Sequence, residues 1–262
     1  MDDTYQNYVN RVARLTLPDS YIAQIEHIQE SPKFIPLPTG GRTAAPFPGY
    51  SVITPPGTED PENAIFYQSL DHCQQQLSSQ LDPGLFIPLP VESFHLTVAD
   101  LIWDSAYRDA SQHPEFDHKL QACINQSFQT CHSALSCHQP VRLLVLGLIV
   151  MTRAIAISLM PTSEQGYDQI IQVRRSIYQN PDLMSLGIEQ QYHLTAHITL
   201  GYFGQIPDSL DRQQFCNVLL ALNEPWLQKP QEFVVKRAEL RKFQDMTCYE
   251  RQPDWPVLEF TG

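Results

Sequence analysis

The chain has 262 residues, enough for one large domain or two small ones and too many to depend on disulfide staples. Seventeen Lys and Arg stand against 29 Asp and Glu, and the resulting charge of −12 works against a sequence-independent grip on long polyanions, which excludes duplex DNA and bulk RNA as partners. A hydrophobic share of 42% suffices for a buried core, while 21 prolines point to long, ordered loops.

The first residues, MDDTYQNYVN, lack the basic start and apolar core of a secretory signal, so a cytoplasmic protein is expected. Tyr5 to Leu15 and Pro18 to Gln29 have helical spacing, the second with Pro and capping residues at its start. Residues 1–45 are expected to form a helical extension and loop ahead of a single domain over 46–262. Ser31 to Pro61 is dense in Pro and Gly and predicts a long ordered loop holding one short strand, Tyr50 to Thr54. A helix over Asn63 to Gln80 follows, then strands at Leu85 to Leu89 and Phe94 to Leu101, then a helix over Glu115 to Thr130.

Val141 to Met160 is the most apolar stretch, but Arg142 and Thr152-Arg153 break it well short of the roughly 20 residues a membrane span needs. It predicts two buried strands and a tight turn, and no membrane partner. Beyond it lie a helix over Glu164 to Tyr178, a strand over His193 to Phe203, a helix over Ser209 to Leu222, and strands at Phe233 to Tyr249 and Val257 to Phe260. Strands and helices mix without the regular alternation of a doubly wound sheet, which predicts an α+β fold with antiparallel or mixed sheets.

Two stretches share one pattern, Phe94-His95-Leu96-Thr97-Val98 and Ala196-His197-Ile198-Thr199-Leu200. Side chains of a strand alternate between faces, so His95 and Thr97 point one way, as do His197 and Thr199, while their apolar neighbours point the other. Two such strands side by side would offer two imidazoles and two hydroxyls. That set suits phosphodiester hydrolysis: one neutral imidazole takes a proton from water, one imidazolium gives a proton to the leaving oxygen, and hydroxyls donate to the phosphate oxygens. No metal or cofactor is expected. With nine histidines, about one His-x-Ser/Thr match arises by chance. A third match, His193-Leu194-Thr195, overlaps the second, and on one strand His193, Thr195, His197 and Thr199 would share a face, so spacing alone does not choose between His193 and His197.

The two HxT stretches, about 100 residues apart, and above all HITLGYF at His197 to Phe203, resemble the 2H phosphoesterase superfamily, which includes the 2′,3′-cyclic phosphodiesterases and the 2′-5′ RNA ligase-like proteins. The resemblance covers about Tyr50 to Phe260. APFPGYSV at Ala45 to Val52 is similar to a bacterial branch distinct from the ligase-like one. The resemblance implies a bilobed α+β fold with a pseudo-twofold, helices outside two sheets and a central cleft, with His95 and His197 catalytic and Thr97 and Thr199 on the phosphate. It further implies a metal-independent hydrolase for a 2′,3′-cyclic phosphate of a small nucleotide or RNA 3′ end, acting as a monomer. The alternative is a nucleotide- or RNA-end-binding module of the same fold without turnover.

Around that core the sequence offers lesser candidates for substrate binding. His193 falls outside the matched motif and becomes a pocket-lining neighbour. Tyr202 has the opposite strand parity to His197, which favours core packing, although a bulge would turn it into the site, where it could stack on a base. Arg42, beside Gly40-Gly41, could form a phosphate-accepting turn. The run Lys236, Arg237, Arg241, Lys242 is expected to be a solvated face. Six cysteines without a CxxC pair are expected to be reduced, and the doubled Cys131-His132 and Cys137-His138 fits no usual zinc spacing.

Overall fold

The computed structural model describes residues 2–135 and 139–260. In chain order the helices are α1 (Tyr5–Arg14), α2 (Pro18–Ile25), α3 (Ala64–Gln80), α4 (Asp104–Ala110), α5 (Phe116–Ala134), α6 (Glu164–Tyr178), α7 (Pro181–Ser185) and α8 (Arg212–Gln228). The strands are β1 (Phe34–Pro36), β2 (Arg42–Ala44), β3 (Gly49–Ile53), β4 (Phe86–Pro88), β5 (Thr97–Trp103), β6 (Val141–Val150), β7 (Ala154–Pro161), β8 (His197–Phe203), β9 (Glu232–Val235), β10 (Arg237–Asp245), β11 (Cys248–Glu250) and β12 (Val257–Glu259).

Two five-stranded antiparallel sheets carry the fold. One runs β11-β10-β3-β5, with β12 also on β10; the other runs β4-β8-β7-β6-β9. The expected α+β architecture with antiparallel sheets is therefore present. The long apolar hairpin β6-β7 forms where the apolar run predicted it, and it is buried along most of its length because helices cover one face and the core the other. Helices α2 and α8 pack on β6, α3 lies on β4 and β8, and α6 touches both sheets, packing on β5, β6 and β7. Among the described residues, no helix is long and apolar enough to cross a membrane.

Several boundaries depart from the sequence-based expectation. The strand expected from Phe94 starts at Thr97, and the one expected from His193 starts at His197, because residues just before each are tied to other segments. The stretch 233–249, expected as one strand, is three: it breaks at Lys236 and turns at Met246-Thr247. The Pro-rich loop contains a small hairpin, β1-β2, whose three-residue strands are too short to show a period.

The sheets meet at the two motif segments. Leu96 bridges Ile198 in an antiparallel pair, so the residue between His95 and Thr97 contacts the residue between His197 and Thr199. Leu96, Val98, Ile198 and Leu200 are all buried, whereas His95, Thr97, His197 and Thr199 are half-buried, which is the alternation expected of one-sided apolar segments.

Candidate functional site

Both motif strands carry a β-bulge at the same place. In β5, Thr97 pairs with Ile53 and Ala99 with Val52, leaving Val98 extra; in β8, Thr199 pairs with Ala156 and Gly201 with Ile155, leaving Leu200 extra. An extra residue reverses the parity of everything beyond it. Ser158, Ala156 and Ala154 alternate on one face of β7, and their partners are His197, Thr199 and Tyr202, so the bulge brings Tyr202 onto the histidine face. The same step in β5 brings Asp100, partner of Ser51, onto the face of Thr97. Asp100 and Tyr202 thus occupy equivalent positions, each five residues after its histidine.

Leu200 O accepts from Leu89 N at 3.0 Å, and the buried carbonyl at each bulge also takes side-chain donors. Two helices supply them. Arg174 of α6 donates to Val98 O at 2.7 Å, and Gln74 of α3 donates to Leu200 O at 2.6 Å and Leu89 O at 2.7 Å. Gly201 follows its bulge for a steric reason: a Cβ there would sit 2.4 Å from Ile87 O.

The two imidazoles are held alike. His95 Nδ1 lies 2.7 Å from Ser93 O and His197 Nδ1 lies 2.6 Å from Thr195 O. A carbonyl only accepts, so each Nδ1 carries the proton and each Nε2 is left to accept or give one. Burial pushes His95 down to about 4, opposed by the Ser93 carbonyl and by Asp100; burial likewise lowers His197, opposed by the Thr195 carbonyl and Asp100, while Lys33 lowers it further. Both rings are therefore neutral at pH 7.

Side chains that no motif marks complete the site. Tyr249 of β11 packs edge-on to His95 with ring centroids 4.2 Å apart. Its partner Phe243 lies on the β10 face of Arg241, so the ring projects from the same side of the sheet as Asp100. Asp100 is held by Ser51 Oγ at 3.4 Å and by the Tyr192 hydroxyl. Lys33, just before β1, lies 3.3 Å from Tyr202 Oη.

The remaining candidates lie as follows. His193 is exposed, with Nδ1 4.0 Å from Asp3 Oδ1, and Thr195 accepts from Arg11 of α1 at 2.8 Å. The overlapping third match therefore serves the N-terminal helix, and β8 begins only at His197. Arg42 donates to Phe34 O at 3.1 Å and pairs with Glu30, which closes the β1-β2 hairpin. The basic run is a solvated face only at Lys236 and Arg237: Arg241 is 3% exposed, bound to Glu239, Glu59 and the Tyr249 carbonyl, and Lys242 pairs with Asp117 at 2.6 Å. The alternation of β10 turns Arg241 inward, and two carboxylates compensate its charge.

Cys73, Cys123, Cys131, Cys216 and Cys248 are unbridged; Cys137 and His138 lie outside the described residues. Among the described residues, no three His, Cys, Asp or Glu side chains gather closely enough to hold a metal ion. Two surface hollows of about 400 and 560 Å³, one beside Glu59 to Glu62 and one between α3 and α8, are lined by neither His95 nor His197. The chemistry is concentrated at the junction of the sheets.

No protein-family model and no curated protein matches the chain. Solved structures do. A conserved protein of unknown function from Agrobacterium tumefaciens is similar with a TM-score of 0.55 at 16% identity, over 92% of this chain and 97% of that one. TT0787 of Thermus thermophilus gives 0.43 at 14% identity over 81% and 95%, and Escherichia coli LigT, solved with 3′-AMP, gives 0.40 at 12% over 78% and 94%. In fold the chain is similar to the Agrobacterium protein over nearly the whole of both.

Proposed function

We propose that the chain is a 2H-type phosphodiesterase that hydrolyses a 2′,3′-cyclic phosphate of a small nucleotide without needing a metal. The observation that carries this is the matched pair His95 and His197, each with its Nδ1 proton bound by the carbonyl two residues back and a threonine two residues on. Two Nε2 atoms with opposite tasks are sufficient for the reaction. One accepts a proton from the attacking water as the new P–O bond forms; the other gives a proton to the ribose oxygen as the ester P–O bond breaks. Thr97 and Thr199 hydroxyls donate to the non-bridging oxygens, where charge accumulates.

Both imidazoles are neutral before substrate arrives, and a phosphate anion beside an Nε2 raises the basicity of that ring. The substrate thereby helps to charge its own general acid, and the way it lies between the sheets decides which histidine takes that role. Tyr249 and Tyr202, one from each sheet, offer aromatic faces for a base. The net charge of −12 favours a small cyclic phosphate over a long RNA end.

The test is hydrolysis of 2′,3′-cyclic nucleotides by the purified chain with EDTA present. Turnover that survives chelation is expected, and loss of all activity on chelation overturns the metal-free mechanism. Calorimetric binding of the same nucleotides without any product supports instead the binding module. Replacing His197 by Ala is expected to lower kcat/KM by about 10²–10⁴-fold, and replacing His193 by Ala to leave it within about 3-fold; equal losses in the two contradict the choice of His197.

A further inference from the structure

The segment ahead of residue 45 places a cation beside the second motif strand. Lys33 Nζ lies 4.6 Å from the Phe47 ring centroid, 5.0 Å from the Tyr202 ring centroid and 3.3 Å from Tyr202 Oη. Its backbone is fixed nearby: Ser31 N donates to Phe203 O at 2.8 Å, at the end of β8, and Ala45 N donates to Lys33 O at 2.9 Å. Phe34 packs on Tyr202 with ring centroids 5.6 Å apart. The ammonium is therefore a placed charge beside a residue that the β8 bulge turns onto the His197 and Thr199 face.

Four other cations are paired with carboxylates or bound to carbonyls. Arg241 holds Glu239 and Glu59, Lys242 holds Asp117, Arg42 holds Glu30, and Arg174 donates to the carbonyls of Val98 and Tyr192. Lys33 makes no ion pair with any described carboxylate; two aromatic rings and one phenol hold it instead. A cation so placed has its charge left over for a ligand. Lys33 also disfavours a charged His197.

We propose that Lys33 is a substrate-binding residue, its ammonium meeting anionic phosphoryl oxygens on the Tyr202 side of the cleft, so that the N-terminal segment completes the site. This rests on the phosphodiesterase reading above. The oxygens have two sources, the scissile diester itself or a second phosphate on the nucleotide.

The experiment compares the full-length chain with Lys33→Gln and Lys33→Arg, on adenosine 2′,3′-cyclic phosphate and on the same nucleotide with a 5′-phosphate. Lys33→Gln is expected to raise KM at least 10-fold for one or both, with kcat within about 3-fold, to flatten the rise of KM with added NaCl, and to be largely rescued by Lys33→Arg. A rise for both substrates assigns the scissile phosphate; a rise for the 5′-phosphorylated one alone assigns the second phosphate. Unchanged KM in Lys33→Gln, or a fall in melting temperature with kcat and KM moving together, overturns the proposal. If the wild type turns over neither nucleotide, the phosphodiesterase reading fails, and calorimetry with the same two nucleotides decides the Lys33 proposal separately. A loss of at least 10-fold in affinity in Lys33→Gln then supports it, and equal affinity, or no binding to the wild type, overturns it.

Discussion

Each imidazole of the pair is a neutral ring held by one hydrogen bond, and its proton chemistry follows from that. A histidine lowered by burial gains its proton only below the usual range, so the singly protonated pair needed for acid-base work exists in the free protein below about pH 6.5. Accordingly kcat/KM for 2′,3′-cyclic AMP, which reports the free enzyme, should peak on the acid side of pH 6.5 and fall as the pH rises from there. A profile still rising at pH 7.5 would contradict this. Asp100 favours the charged form of both rings, so Asp100→Asn should move the peak to still lower pH. The histidines and threonines were legible because strand parity is a short-range property. Tyr202 is buried, as the alternation favours, but on the histidine face rather than the opposite one, since the Leu200 bulge is set by pairing with β7 and by Gln74, neither of which is local. Lys33, Asp100 and Tyr249 sit in no motif; they reach the site through long-range pairing of β3, β10 and β11 and the return of the Ser31 segment to β8.

At the scale of elements, the paired bulges tie the site to the helices behind it. Gln74 is buried and serves two carbonyls of the β4-β8 corner. Gln74→Leu keeps most of the volume but removes both bonds, and each buried acceptor deprived of its donor costs about 1–3 kcal/mol, less for Leu200 O, which also accepts from Leu89 N. Denaturant unfolding should therefore show a loss of about 2 kcal/mol, with a drop in kcat/KM as Tyr202 shifts; a variant as stable and active as the wild type would show that the bulge does not depend on Gln74. The long helices and the β6-β7 hairpin were evident from periodicity and apolar content. The β1-β2 hairpin was not, because Pro36 and the Pro38-Thr39-Gly40-Gly41 turn read as loop, and the turn is closed by Leu37 N donating to Gly41 O together with the Glu30-Arg42 and Phe34-Arg42 contacts.

At the scale of the whole molecule, the N-terminal helices are fastened to the sheet that carries the second motif. Tyr8, fully buried, donates to Leu159 O at 2.8 Å and accepts from Ala196 N at 3.2 Å, the residue just before His197. Arg11 donates to Leu194 O and to Thr195 Oγ1, and Tyr21 donates to Leu148 O while accepting from Asn223. The backbone that binds the His197 ring is thus braced by α1. Tyr8→Phe leaves a buried carbonyl and a buried N–H unpaired and should cost about 1–3 kcal/mol in unfolding experiments, with kcat lowered through a less fixed His197; unchanged stability would mean that water replaces the hydroxyl.

The central claim is that His95 and His197, brought together by the Leu96-Ile198 bridge, act as one unit. The most direct measurement is kcat/KM for 2′,3′-cyclic AMP, with EDTA present, for His95→Gln, His197→Gln and the double variant. Groups that transfer protons in one step are not additive, so each single change should cost at least about 100-fold and the double little more. Either single variant working at the wild-type rate, or losses that simply multiply in the double, would contradict it.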